Sequence, residues 1–209
     1  MNRGEMRSRV RSVVRDTAAT FITDDDINDW LEEANLDLAV RLRLLQAEAD
    51  ETELTESGNA ITLPADFLSP ISLRLGTDDA VFVDPETWWG YSDSGNRLTH
   101  TLARIFNNQI ELYPTPTSGF TYRLRYYRAP VSMSDSQASE LPESLHVKIV
   151  HYATARAKMK DDRADEAQFF FGLYEQNLPA PSREKERLFP TPSGFTPAAS
   201  PFDDEGIHI

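Results

Sequence analysis

Apolar residues recur at helical spacing near both ends of this chain and at alternate positions between them, so one fold must serve two periods. At the start, Met6, Val10, Val13, Val14 and Phe21 fall at helical spacing over residues 5–21. Thr23 then reads as an N-cap, with Asp24, Asp25 and Asp26 in the first turn, where the helix dipole favours negative charge. A helix start accounts for these three aspartates without a metal. Ile27, Trp30, Leu31, Ala34, Leu38, Leu42 and Leu45 fall in one stripe of about 120°. The far side of this helix begins acidic, with Asp29, Glu32 and Glu33, and turns apolar with Leu36, Val40 and Leu44. A helix apolar on two opposite faces needs two packing partners. Either its own domain buries it more deeply, or a second molecule covers Leu36, Val40 and Leu44.

From about residue 52 the period becomes two. TELTE and AITLP flank a Gly-Asn turn, ISLRL and AVFVD flank GTDD, and LARIF and QIELY flank Asn107-Asn108; each pair predicts a hairpin. QIELY places Ile110 and Leu112 opposite Glu111 and Tyr113, and TYRLRYYR places Tyr122, Leu124 and Tyr126 opposite Arg123, Arg125 and Tyr127. Between them YPTPTSGFT predicts a stiff hairpin loop that displays Tyr113 and Phe120, since Pro114 and Pro116 cannot donate to a ladder. A short segment, PETWWGYSD, separates AVFVD from LARIF. About seven short strands predict a small antiparallel sandwich or barrel.

Helical spacing returns after SMSDSQASE. Pro142 is placed at the first helical position, followed by Leu145, Ile149, Tyr152, Ala153, Ala157 and Lys160. Asp161-Asp162 separates these from a last stripe of Ala164, Ala167, Phe170, Phe171, Tyr174 and Leu178. No such helix stands alone in water. The expected fold is therefore α+β: a helical bundle from both chain ends (1–50 and 132–178), an inserted β module (51–131) and an extended C-terminal arm (179–209). The arm holds six of the 13 prolines, yet spaces Phe189, Phe195 and Phe202 along itself as anchors. It also repeats the hairpin phrase: FPTPSGFT at 189–196 echoes YPTPTSGFT at 113–121, without a strand on either side. Both copies are read as docking surfaces.

With 40% hydrophobic and 26% charged residues the composition is globular, and the absence of cysteine excludes disulfides and thiolate metal sites. No apolar run approaches a membrane span, and MNRGEMRSRVRSVVR lacks a signal-peptide core, so a soluble protein of a reducing cytoplasm is expected. The net charge of −13 is uneven: residues 23–56 hold twelve acids against Arg41 and Arg43, whereas residues 1–22 hold five arginines against Glu5 and Asp16. Such a chain repels nucleic acid rather than wrapping it. It contains no GxxxxGK[ST], HExxH, GxSxG or GxGxxG; His146 and His151 lie on different helix faces, and His100 and His208 stand apart. No enzyme, metal or cofactor is expected. Trp88 and Trp89 with Tyr91 offer an alternative, a carbohydrate- or receptor-binding tail module, with core or interface packing the plainer account; a small hydrolase is a further class, for which no residue pair is nominated.

The order of these segments resembles the head–tail adaptor (connector) proteins of tailed bacteriophages, in their longer form with a helical bundle and a β module. The residues that carry the likeness are DDDINDWLEEANLDLAVRL, ITLPADFLSPISL, IELYPTPTSGFTYRLRYYRAP and ELPESLHVKIVHYATARAK. The resemblance implies a virion structural protein of the neck, assembled in the host cytoplasm. It implies a ring, usually of twelve copies, docked under the portal, meeting a downstream neck or tail protein and passing DNA through its lumen. It also implies a C-terminal segment that engages the portal or neighbouring copies. On this view Leu36, Val40 and Leu44 form the subunit interface, and Asp29, Glu32, Glu33 and Asp37 line the lumen and repel DNA. Tyr113 and Phe120 meet the neck partner, and Phe189, Phe195 and Phe202 anchor the arm.

Overall fold

The computed structural model describes residues 1–15, 21–51, 60–94, 100–116 and 121–178. Among them are five helices and a curled, mixed seven-stranded sheet in the form of a half-barrel. Helix α1 (Arg3–Val14) begins at Asn2, whose side chain accepts the Glu5 N–H at 2.8 Å while Glu5 accepts the Asn2 N–H at 3.1 Å. Helix α2 (Asp24–Leu42) begins with the same reciprocal device, built from Thr23 and Asp26. It ends where Arg43 turns left-handed at φ 50° and donates back to Ala39. Leu44 and Leu45 therefore lie beyond the helix, and strand β1 (Gln46–Glu51) starts inside the stretch assigned above to the bundle.

The other strands are β2 (Ala60–Thr62), β3 (Phe67–Leu75), β4 (Asp78–Phe82), β5 (Leu102–Phe106), β6 (Gln109–Tyr113) and β7 (Tyr122–Arg128), in the order β1-β7-β3-β4-β5-β6-β2. The ISLRL and LARIF hairpins form where the sequence places them. Gly76 turns the first at φ 59°, and Asn107 and Asn108 turn the second at φ 54° and 61°, the tight two-residue geometry that matches strand twist.

Two pairings differ from expectation, and the TELTE–AITLP hairpin falls partly outside the described residues. Strands β6 and β7 do not form a hairpin, because β6 lies between β5 and β2 while β7 lies between β3 and β1. Alternation identifies a strand and its buried face but not its neighbour. AITLP pairs through β2 with β6, at the opposite edge from β1; TELTE lies outside the described residues. The tryptophan segment is a helix, α3 (Pro85–Ser94), and the connection it occupies makes β4 and β5 parallel. A crossover of that kind is what a parallel pair requires, so the sheet is mixed rather than antiparallel. The local signal was present: Asp84 accepts the Thr87 N–H at 2.9 Å as an N-cap, with Pro85 at the first helical position.

The half-barrel closes over Ile61, Leu73, Ala103, Ile110, Leu112 and Leu124, all shut away from solvent. A second core joins Met6 and Val10 of α1 and Ile27, Leu31 and Leu38 of α2 to Ile149 and Ala153 of α4 (Glu143–Lys160) and Tyr174 of α5 (Ala164–Glu175). Pro142 sits one position earlier than predicted, as the N-cap of α4. No described helix is long and apolar enough to cross a membrane.

Helix α2 is also tied to the end of α4 electrostatically. Lys160 Nζ lies 2.7 Å from Asp26, and Thr23 donates to the same carboxylate from its hydroxyl at 2.7 Å and its N–H at 2.9 Å. Lys160 foremost, with Thr23, holds the Asp26 carboxyl down at about 2. A depressed native pKa supplies stability above the ordinary carboxylate value of about 3.9, and that stability disappears as pH falls through the native value. Asp26→Ala is expected to cost about 1 kcal/mol, or about 2–4 °C in Tm, at pH 7. In melts followed by circular dichroism, its deficit against the parent chain should close between about pH 4 and pH 2.

Candidate functional site

The outward side of α2 is the surface on which the sequence concentrates both charge and unexplained apolar residues. Ile27, Leu31, Ala34, Asn35, Leu38 and Ala39 point into the helical core. At 100° per residue, Asp29, Glu33, Leu36 and Val40 then share the opposite side. Leu36 is 44% exposed and Leu44 45%, with Val40 half-buried between them. The chain's own core therefore leaves this row uncovered. Because Arg43 ends the helix, Leu44 continues the row from the start of the following loop rather than from a third helical turn.

The four acids assigned to a lumen fall into two groups. Glu32 accepts the Met133 N–H at 2.7 Å, fastening the β7–α4 connection to α2, and burial raises its pKa. Asp37 accepts the Tyr174 hydroxyl and lies 2.8 Å from the Arg41 Nε, joining α2 to α5. Burial, then that same bond, pushes the Tyr174 phenol far above its usual value. Glu33 is exposed and bonds to Tyr152 of α4, with Arg156 at a looser 3.6 Å. Asp29 is exposed as well. Outward charge on this face thus resides in Asp29 and Glu33. A wheel alone cannot separate the pairs, since the partner of Glu32 is a backbone N–H in a distant connection.

The β module presents a second surface. Trp88 is buried with Val83 and Leu102, whereas Trp89 is 56% exposed, so the two indoles do not form one sugar-stacking platform. The Arg104 guanidinium lies 4.5 Å from the ring centre of Trp88, 4.9 Å from Trp89 and 5.1 Å from Phe106. Glu111 holds it from the next strand at 2.5 Å. Tyr113 is half-buried and meets Trp88 edge-on with ring centres 6.1 Å apart; Pro114 and Thr115 after it are exposed. Phe120 and the arm residues Phe189, Phe195 and Phe202 lie outside the described residues.

A third apolar surface was not anticipated. Phe169 of α5 is 63% exposed, packed edge-on against Phe170, which in turn meets His151 of α4. Val147, one turn before His151, is 43% exposed. The signal was the run Phe169-Phe170-Phe171 itself, since three consecutive helical side chains cannot all face one core. As for chemistry, His146 is buried and hydrogen-bonded to the Leu141 carbonyl at 2.9 Å. Burial, with Lys148 nearby, lowers the pKa of His151. Among the described residues no group of three or more His, Cys, Asp or Glu side chains is placed to hold a metal ion.

Comparison with known proteins adds a relationship to this geometry. The model of a family described as SU10 adaptor protein matches residues 1–196, from the first helix through the half-barrel to the second copy of the repeated phrase. No curated protein matches the chain. A match over nearly the full length, on an α+β chain with outward apolar rows, shows that this protein belongs to the SU10 adaptor family of phage head–tail adaptors.

Proposed function

We propose that copies of this chain form a closed ring beneath the phage portal, joining capsid to tail and leaving an axial path for DNA. The observation that carries this reading is the uncovered row of Leu36, Val40 and Leu44 on a chain whose two main cores are otherwise closed. Membership of an adaptor family supplies the setting. A ring of identical subunits, twelve in this reading, uses a head-to-tail contact, and an apolar row on one side of each subunit suits such a contact. Asp29 and Glu33, with Glu32 and Asp37 behind them, present like charge to passing DNA, which keeps the duplex from adhering. The arm, through Phe189, Phe195 and Phe202, engages the portal or an adjacent copy. The loop after Tyr113, with Phe120, meets the next neck or tail component. This role calls on no catalytic residue and no cofactor.

Leu36→Asp with Leu44→Asp is expected to change stability by no more than about 0.5 kcal/mol, because both positions are exposed. The helical spectrum should persist while rings on the portal disappear from negative-stain images and mass measurements. Rings of unchanged number would remove the basis of this reading. Asp29→Lys with Glu33→Lys should leave assembly intact and slow DNA release several-fold, with added salt restoring the rate. A release rate that ignores both charge reversals would place these residues away from the DNA path. Removing residues 189–209 should leave Tm unchanged and weaken retention on the portal in co-sedimentation.

A further inference from the structure

The repeated phrase and the aromatic shelf on the β module belong together. In the first copy, Tyr113 seats its ring edge-on against Trp88, inside the small cluster that α3 makes with β5. The second copy begins with Phe189 in place of Tyr113 and retains the two prolines, the Ser-Gly pair and Phe-Thr. Beside Trp88, Trp89 and Phe106 remain more than half exposed. Arg104 fixes both rings from between, and Glu111 neutralises its charge at 2.5 Å. The outer surface is therefore aromatic, with the Arg104 cation ion-paired and its rings held by contact, and a surface held in advance binds at lower entropic cost. Aromatic shelves of this kind suit proline-rich extended segments, which also lose little entropy on docking.

We propose that the Trp89–Arg104–Phe106 shelf of one copy receives the 189–196 segment from the arm of an adjacent copy. This inference rests on the ring reading above, which supplies the adjacent copy. Chain length permits it: the described fold ends at Leu178, packed on the helical core, and Phe189 follows eleven residues later. At about 3.1 Å per residue, an extended proline-rich chain of that length would reach about 34 Å. The shelf adjoins the cluster that seats Tyr113, the first residue of the same phrase, and that likeness selects it over the apolar rows on the helices.

The test uses the full chain with p-benzoyl-phenylalanine in place of Trp89, which retains an aromatic ring. Light and heavy isotope-labelled copies are mixed, assembled on the portal and irradiated, and cross-linked peptides are read by mass. The expected product joins position 89 to residues 189–196 in light–heavy hybrids. Rings whose cross-links stay within one chain, map elsewhere or do not form overturn this inference while leaving the ring itself standing. Failure to form rings overturns both. A second measurement uses Trp89→Ala with Phe106→Ala in assembled rings, where tryptic cleavage at Arg183, Lys185 and Arg187 should accelerate about tenfold. An unchanged rate means that another surface holds the arm.

Discussion

Helix α4 buries Ala153, Thr154, Ala155 and Ala157 completely, and α1, α2 and α5 all pack against it. Small side chains let three helices approach one axis, and a larger residue at any of these positions would force them apart. The one hydroxyl among these four residues is satisfied within the helix, Thr154 donating to the Val150 carbonyl at 2.7 Å. Lys148, on the same helix, donates to the Leu173, Tyr174 and Gln176 carbonyls at 3.3, 2.9 and 2.6 Å, closing the end of α5 where a cation is favoured. Helices α1 and α2 come before the sheet and α4 and α5 after it. Their shared core therefore joins segments that the whole sheet separates in sequence.

That arrangement explains much of the uneven charge. Asp24 pairs with Arg7 at 3.5 Å and closely with Arg11, tying the start of α2 to α1. Asp26 reaches Lys160, Glu32 reaches the β7–α4 connection, and Asp37 reaches Tyr174. The arginines near the chain start are thus complements to the acids that follow them. Arg3 and Arg7 also lie 3.2 and 2.9 Å from Asp135, just before α4, and lower its pKa. Exposed pairs each contribute little, but here they link consecutive and distant helices in one register. Asp24, Asp26, Glu32 and Asp37, which composition alone counts as acidic surface, are fasteners in the fold.

The helices were legible because caps and apolar spacing act over one or two turns. Thr23 with Asp26, and the stripe from Ile27 to Leu38, stand where the sequence places them. Tight hairpins were legible for the same reason: Gly76, Asn107 and Asn108 adopt the left-handed turns that their side chains permit. Pairing between distant strands was not legible, because β6 and β7 share an alternating pattern but each finds its neighbours elsewhere. The helix α3 was missed because two tryptophans read as a packing feature, although the Asp84-Pro85 start was in view. Among the candidate site residues, Leu36 and Leu44 are exposed, as an apolar row left over from the helical stripe of α2 is expected to be. The separate tasks of Glu32 and Asp37 depend on partners about a hundred residues or more away in sequence, which no local pattern encodes.

The acidic and apolar parts of the outward side of α2 cannot be assigned independently. Asp29 and Val40 lie on one side of one helix, separated along its axis by about 16 Å at 1.5 Å per residue. If Leu36 and Val40 meet a neighbouring subunit, Asp29 and Glu33 lie at the edge of that same contact. They reach a central channel only when the N-terminal end of α2 points inward past the contact. A subunit placed the other way would bury these acids against its neighbour or turn them outward, and burying a carboxylate such as that of Asp29 without a partner is costly. In the proposed ring, interface and lumen are therefore one question about the tilt of a single helix, settled by measuring whether Asp29 or Leu36 lies nearer the ring axis.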